Sequence, residues 1–97
     1  MREMISLVLH LGSKWVVPHR HVLAIVDLRT ADNPDTRAFL RRARERDALV
    51  TVPEGAPRSA VIAANEAGAG RVYLSPISAA TLKRRNLLAG SIERGAV

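Results

Sequence analysis

The chain has 97 residues, of which 47% are hydrophobic, and its 15 Lys and Arg against nine Asp and Glu give a net charge of +6. This length allows one domain with a modest core, which oligomer formation would help to stabilise. The absence of cysteine excludes disulfides, thiolate chemistry and cysteine-based zinc sites. The positive charge favours a polyanionic partner such as nucleic acid, although an arginine-rich genome would give the same excess of Arg over Lys.

The first part of the chain has the pattern of β-strands. Residues 5–11 and 15–17 flank the turn sequence Gly12-Ser13-Lys14, which predicts a hairpin that ends at Pro18. Residues 22–28 are almost entirely apolar, and we expect them to form the most buried strand.

Residues 36–46 form the first predicted helix, which follows turn-forming residues that can cap it. Its apolar stripe consists of Phe39, Leu40 and Ala43. At 100° per residue, one face carries three arginines, Arg37, Arg41 and Arg44. This face is either a basic ridge that contacts phosphate or an ordinary solvated helix face.

The second half predicts three more strands and a second helix. Strands at 48–52, 59–64 and 71–75 are separated by a proline-rich loop at 53–58 and a glycine-containing turn at 65–70. The last two strands form a hairpin. We therefore expect an α+β fold with a small, mainly antiparallel β-sheet and about two helices. It forms a single domain over residues 1–88, followed by a flexible C-terminal tail at 89–97.

Four more cations are candidates for phosphate contacts. Arg58 ends a loop with two prolines and a glycine, so its guanidinium can be held at low entropic cost, although a single loop arginine often only adds solubility. The last helix begins near Ser78 and closes on Lys83, Arg84 and Arg85. These three charges complement the helix dipole, meet phosphate or contact a neighbouring subunit.

No pattern in the chain indicates catalysis. It has no nucleophile elbow, P-loop or HExxH sequence, and its carboxylates form no spaced pair. His19 and His21 would share one side of an extended segment, but spacing supplies no third metal ligand, and surface histidines need no such role. We therefore expect no enzymatic activity, no cofactor and no metal. The longest apolar run is too short to cross a membrane, so we expect a cytoplasmic protein.

Five short segments form an ordered set of motifs. The most specific is YLSPISAATLKR at 73–84, and the others are LHLG at 9–12, VVP at 16–18, VLAIVD at 22–27 and PRS at 57–59. This set resembles the RemA/RemB family of bacterial extracellular matrix regulators and is closer to its RemB branch. The resemblance covers roughly residues 4–85 and implies a small DNA-binding regulator that assembles into rings or other homo-oligomers.

The resemblance also implies which residues contact DNA. In the RemA branch, contact arginines lie near the start of the third predicted strand, where this chain has Arg20 or His21, depending on one residue of alignment. Others lie in the loop before the fifth predicted strand, where this chain has Arg58. RemA-like proteins carry adjacent arginines after the loop glycine, whereas this chain has Ala56 and Pro57. Only part of the family's DNA site is therefore transferred.

The leading hypothesis is an oligomeric, double-stranded DNA-binding transcriptional regulator of matrix or biofilm genes. A ring repeats weak phosphate contacts, so avidity can take the place of a dedicated DNA-recognition element. Because no helix-turn-helix is visible, we expect recognition mainly of the DNA backbone and shape. The alternative is a protein-interaction or scaffolding oligomer whose arginines bind acidic partners or keep the surface soluble.

Overall fold

In the computed structural model, which describes residues 7–30 and 33–93, the chain forms an α+β fold. The strands are β1 (Val8–Gly12), β2 (Trp15–Pro18), β3 (Val22–Asp27), β4 (Leu49–Thr51), β5 (Ser59–Ala64) and β6 (Gly70–Ser75). The α-helices are α1 (Pro34–Glu45) and α2 (Ala79–Glu93), and 3-10 turns occupy His19–His21 and Leu28–Thr30. The predicted fold class is confirmed.

The N-terminal hairpin follows from alternating side chains. Strands β1 and β2 pair antiparallel, and their inward residues Leu9, Leu11 and Val17 are buried. At the end of β1, where the chain turns, Gly12 has a φ of +117°, a conformation that L side chains rarely adopt. The hairpin prediction is confirmed, and residues 5 and 6 of the predicted first strand lie outside the described residues.

The other four strands form one sheet in the order β3-β5-β6-β4. The first two pairings are antiparallel, whereas β4 lies parallel to β6. The sheet is therefore mainly antiparallel, as predicted, although the hairpin forms a separate two-stranded sheet.

The sheet is covered on both faces, so the molecule has three layers. On one face, the hairpin and α2 pack through Leu9, Leu11 and Leu82 against Val61 and Ala63. On the other face, α1 packs against a second cluster, which consists of Ala43, Ala60 and Val72 with partly buried Phe39 and Leu40. The apolar stripe predicted for the first helix is therefore the face that α1 packs against the sheet.

Strand β3 is not the most buried strand, and that prediction is wrong. It lies at an edge of the sheet, and Leu23 and Ala24 are exposed. Strand β5 is the most buried, because it lies between two strands and both of its faces are covered. Apolar composition could not separate the two strands, since edge and central positions depend on pairing.

Helix α2 is longer than predicted. The Ser78 side chain caps its start, because the hydroxyl oxygen accepts a hydrogen bond from the Thr81 N–H at 3.2 Å. The helix continues through 89–93, the first part of the predicted tail, and 94–97 lie outside the described residues. Lys83, Arg84 and Arg85 therefore lie in the middle of α2, and the predicted helix closure by these cations is wrong.

Candidate nucleic-acid interface

Arg58 combines a fixed backbone with an exposed side chain. Its N–H donates to the Ser75 carbonyl at 2.7 Å, and its own carbonyl accepts from the Leu28 N–H at 3.1 Å. These bonds hold the residue at the junction of the proline-rich loop and β5. Among the described residues, no carboxylate lies within ion-pairing distance of its guanidinium. Arg58 therefore presents an unneutralised cation from a rigid position.

A cleft next to Arg58 brings together three parts of the chain. Its walls come from residues 27–29, which include Asp27, from Pro57 and Arg58, and from 78–80 at the start of α2. Backbone N–H groups in the first turn of a helix lack helical partners, and they create a positive potential there. The start of the helix and the Arg58 guanidinium therefore both contribute positive potential to the cleft, which also contains the Asp27 carboxylate.

Arg29 lies in the same cleft but is paired with an acid. Its Nη2 atom is 2.8 Å from Asp27 Oδ2, and its Nε atom contacts both carboxylate oxygens. The hydrogen bonds from Arg29 lower the pKa of Asp27 to about 2. Because this pair is locally neutral, Arg58 supplies the unneutralised charge of the cleft.

Arg20 and His21 lie in the 3-10 turn before β3, where the resemblance places the other DNA contact. Arg20 Nε donates to Glu66 Oε2 at 3.0 Å, and His21 Nε2 is 3.6 Å from the same oxygen. The Arg20 hydrogen bond is the main cause that lowers the pKa of Glu66. His21 Nε2 is buried and has no hydrogen-bond partner among the residues that the structure describes. Sequence reasoning missed Glu66, which is 46 residues from Arg20.

The two predicted contact regions lie at opposite ends of one strand pair. Antiparallel pairing places Asp27 opposite Ser59, next to Arg58, and Val22 opposite Ala63, at the end where Arg20 precedes β3. At roughly 3.3 Å per residue, the two regions are about 20 Å apart. One chain therefore does not bring Arg20 and Arg58 to the same phosphate.

The remaining predicted cations occupy two further surfaces. Arg37, Arg41 and Arg44 are exposed on α1, on one side of the sheet. Helix α2, on the other side, carries Lys83 and Arg85, which line different grooves. The intervening Arg84 is also exposed. The structure therefore distributes the predicted cations over several surfaces of one chain.

The histidines do not converge. His19 Nδ1 is 2.9 Å from Asn86 Oδ1, His10 Nε2 is 3.0 Å from the Ser13 carbonyl oxygen, and His21 approaches Glu66. The segment 19–21 is a 3-10 turn, so the prediction of an extended segment there is wrong. Within 7–30 and 33–93, no three His, Asp or Glu residues are grouped as metal ligands require.

These features define a class, a small α+β protein with exposed arginines distributed around a three-layer core. Residues 8–85 match the RemA-like family, described as extracellular matrix regulatory protein A-like. The chain is 31% identical over 77 residues to extracellular matrix regulatory protein B of Bacillus subtilis (strain 168), covering 79% of this chain and 86% of that protein.

The chain therefore belongs to the RemA-like family of extracellular matrix regulatory proteins, which confirms the resemblance read from the sequence motifs. Both Arg20 and Arg58 lie within the matched residues. No helix in the described part of the chain is long and apolar enough to span a membrane.

Proposed function

We propose that this chain is a homo-oligomeric, cytoplasmic regulator that binds double-stranded DNA through repeated arginines and thereby controls matrix or biofilm genes. Its family membership supports the regulatory role. The main support for DNA binding is the geometry of Arg58. Its backbone is fixed by hydrogen bonds at both its N–H and its carbonyl, and its side chain is exposed. Because the backbone is already fixed, phosphate binding at Arg58 orders only its side chain and not the loop.

The spacing of the cations favours contacts with the DNA backbone. Arg58 and the pair Arg20 and His21 are about 20 Å apart, so they would contact different phosphates. Arg37 and Arg41 on α1, or the α2 cations at 83–85, would add contacts where the assembly turns them toward the duplex. Each neutralised phosphate releases counterions, and an oligomer repeats these contacts along the duplex.

Exposed apolar side chains support the oligomer. At the end of α2, Leu87, Leu88 and Ile92 are 60 to 69% exposed, although the same helix is buried through Leu82. On the outer face of the hairpin, Val8 and Val16 are also exposed. Two apolar surfaces on different elements favour head-to-tail contacts, which form rings when the rotation closes.

Salt-dependent DNA binding by the intact oligomer tests the proposal. We expect Arg58→Ala to weaken binding and to reduce the slope of log affinity against log salt by about 1 for each phosphate that is no longer neutralised. The matched control is Arg46→Ala, which removes the same charge from an exposed residue at the end of α1. The proposal of DNA binding is rejected if the wild type does not bind the duplex, or if its affinity for the duplex does not change with salt concentration.

The alternative is a scaffolding oligomer that binds no DNA, and the exposed end of α2 is the observation that favours it. Native mass measured with and without duplex DNA separates the two functions. Assembly without a DNA-bound species supports the scaffold. If Arg58→Ala disrupts assembly, then Arg58 lies at a contact between subunits and not on the DNA-binding surface.

A further inference from the structure

The turn between β5 and β6 holds a carboxylate against one of the two proposed DNA-contact regions. Asn65 organises this turn, because its Oδ1 atom accepts hydrogen bonds from the N–H groups of Ala67 and Ala69, both at 3.0 Å. The Asn65 backbone adds two more bonds, to Ala69 and Gly68. Glu66 is therefore presented by an ordered turn and not by a loose loop.

One oxygen of Glu66 faces both residues of the contact region. Oε2 accepts from Arg20 Nε at 3.0 Å and lies 3.6 Å from His21 Nε2. A carboxylate and a phosphate bind a guanidinium through the same charge-assisted hydrogen bonds. A phosphate that contacts Arg20 therefore either replaces Glu66 or lies close to a second negative charge, which costs energy.

The two ends of the β3 and β5 pair differ in this respect. At the other end, no carboxylate in the described part of the chain pairs with the Arg58 guanidinium. Of the two proposed contact arginines, Arg58 is thus available to phosphate at once, and Arg20 already has an acidic partner.

We propose that Glu66 competes with DNA phosphate for Arg20 and so limits the affinity and salt dependence of this end of the protein. The inference rests on the proposed function, since it concerns the same DNA contacts. Arg58 then contacts phosphate without a competing carboxylate, whereas Arg20 binds phosphate either by displacing Glu66 or against the repulsion of its charge. Because the ion pair is exposed, the competition is modest, and we expect an effect of about two- to fivefold at each Arg20.

The test compares Glu66→Gln with Glu45→Gln, an exposed residue on α1, in binding to a labelled mixed-sequence duplex over a series of salt concentrations. Both variants remove one negative charge through the same change. For each Arg20 that contacts the duplex, we expect Glu66→Gln to bind about two- to fivefold more tightly than the control, with a salt slope steeper by up to about 0.9. The gain should disappear in the double variant Arg20→Ala/Glu66→Gln.

The outcomes separate this inference from the proposed function. If the wild type binds DNA through Arg58 but Glu66→Gln binds no more tightly than Glu45→Gln, the competition is rejected and DNA binding stands. Weaker binding by Glu66→Gln would show that Glu66 positions Arg20 for DNA, which also overturns the competition. If no variant binds duplex DNA, both ideas fail. Circular dichroism checks that each variant is folded.

Discussion

The Ser75 hydroxyl donates a 2.6 Å hydrogen bond to the Leu11 carbonyl, which links the four-stranded sheet to the N-terminal hairpin. The same hydroxyl oxygen accepts from the Ile77 N–H at 3.1 Å, so it also fixes the turn before α2. Ser75 and Leu11 are both fully buried. This bond therefore holds together the elements that form one side of the core.

Ser75→Ala should lower the free energy of unfolding by about 1 to 3 kcal/mol, because it leaves the buried Leu11 carbonyl and the partly buried Ile77 N–H without this partner. Urea denaturation followed by circular dichroism measures the change. Ser91→Ala, on α2 and outside this junction, serves as the control. Equal stability of the two variants would show that Ser75 does not hold the layers together.

Core substitutions test which strand is most buried. Val61 on β5 has no exposed surface, whereas Leu23 on β3 is 68% exposed. We expect Val61→Ala to cost about 2 kcal/mol of unfolding free energy, from the burial that is removed and the cavity left behind. Leu23→Ala should cost less than about 0.5 kcal/mol in the monomer. The same denaturation measurement applies, and a larger loss for Leu23→Ala would contradict the edge position of β3.

Local patterns predicted the elements well but not their neighbours. The flanking proline-rich loop and glycine-containing turn placed β5 at residues 59–64, and turn residues placed both hairpins. The order of strands depends on contacts between distant segments, so β3, which lies at an edge, was wrongly expected to be the most buried strand. The end of α2 was missed because Gly90, which weakens helices in general, is buried inside this helix.

In the candidate site, too, local patterns were predicted well and contacts between distant residues were not. The rigid loop identified Arg58 correctly as an exposed cation at the start of a strand. Sequence patterns could not assign Asp27 and Glu66 as acidic partners of these arginines. The contact between Asp27 and Arg29 depends on the geometry at the end of β3, and Glu66 lies in a turn 46 residues along the chain from Arg20. A count of charges does not distinguish one arginine from another. The contacts with Asp27 and Glu66 show that Arg29 and Arg20 have acidic partners.

The Asp27 and Arg29 pair makes a specific prediction about pH. Because the pKa of Asp27 falls from 3.8 to about 2, the folded state favours the ionised carboxylate. The resulting stabilisation is fully present above the ordinary value and is lost as the pH falls through the lowered pKa. NMR titration of the Asp27 carboxyl carbon should give a midpoint near 2, and Arg29→Ala should return it toward 3.8. A wild-type midpoint near the ordinary value would contradict the pairing.

The exposed end of α2 predicts how assembly responds to charge. Leu88 is 60% exposed in one chain, so Leu88→Asp should leave the monomer fold intact while it places a charge in an apolar contact. We expect sedimentation to show a smaller species than the wild type, with an unchanged helical circular dichroism signal. Ala80→Asp, which adds the same charge at the exposed start of the same helix, should keep the wild-type mass. A wild-type monomer, or an unchanged mass for Leu88→Asp, would show that this end of α2 does not join subunits.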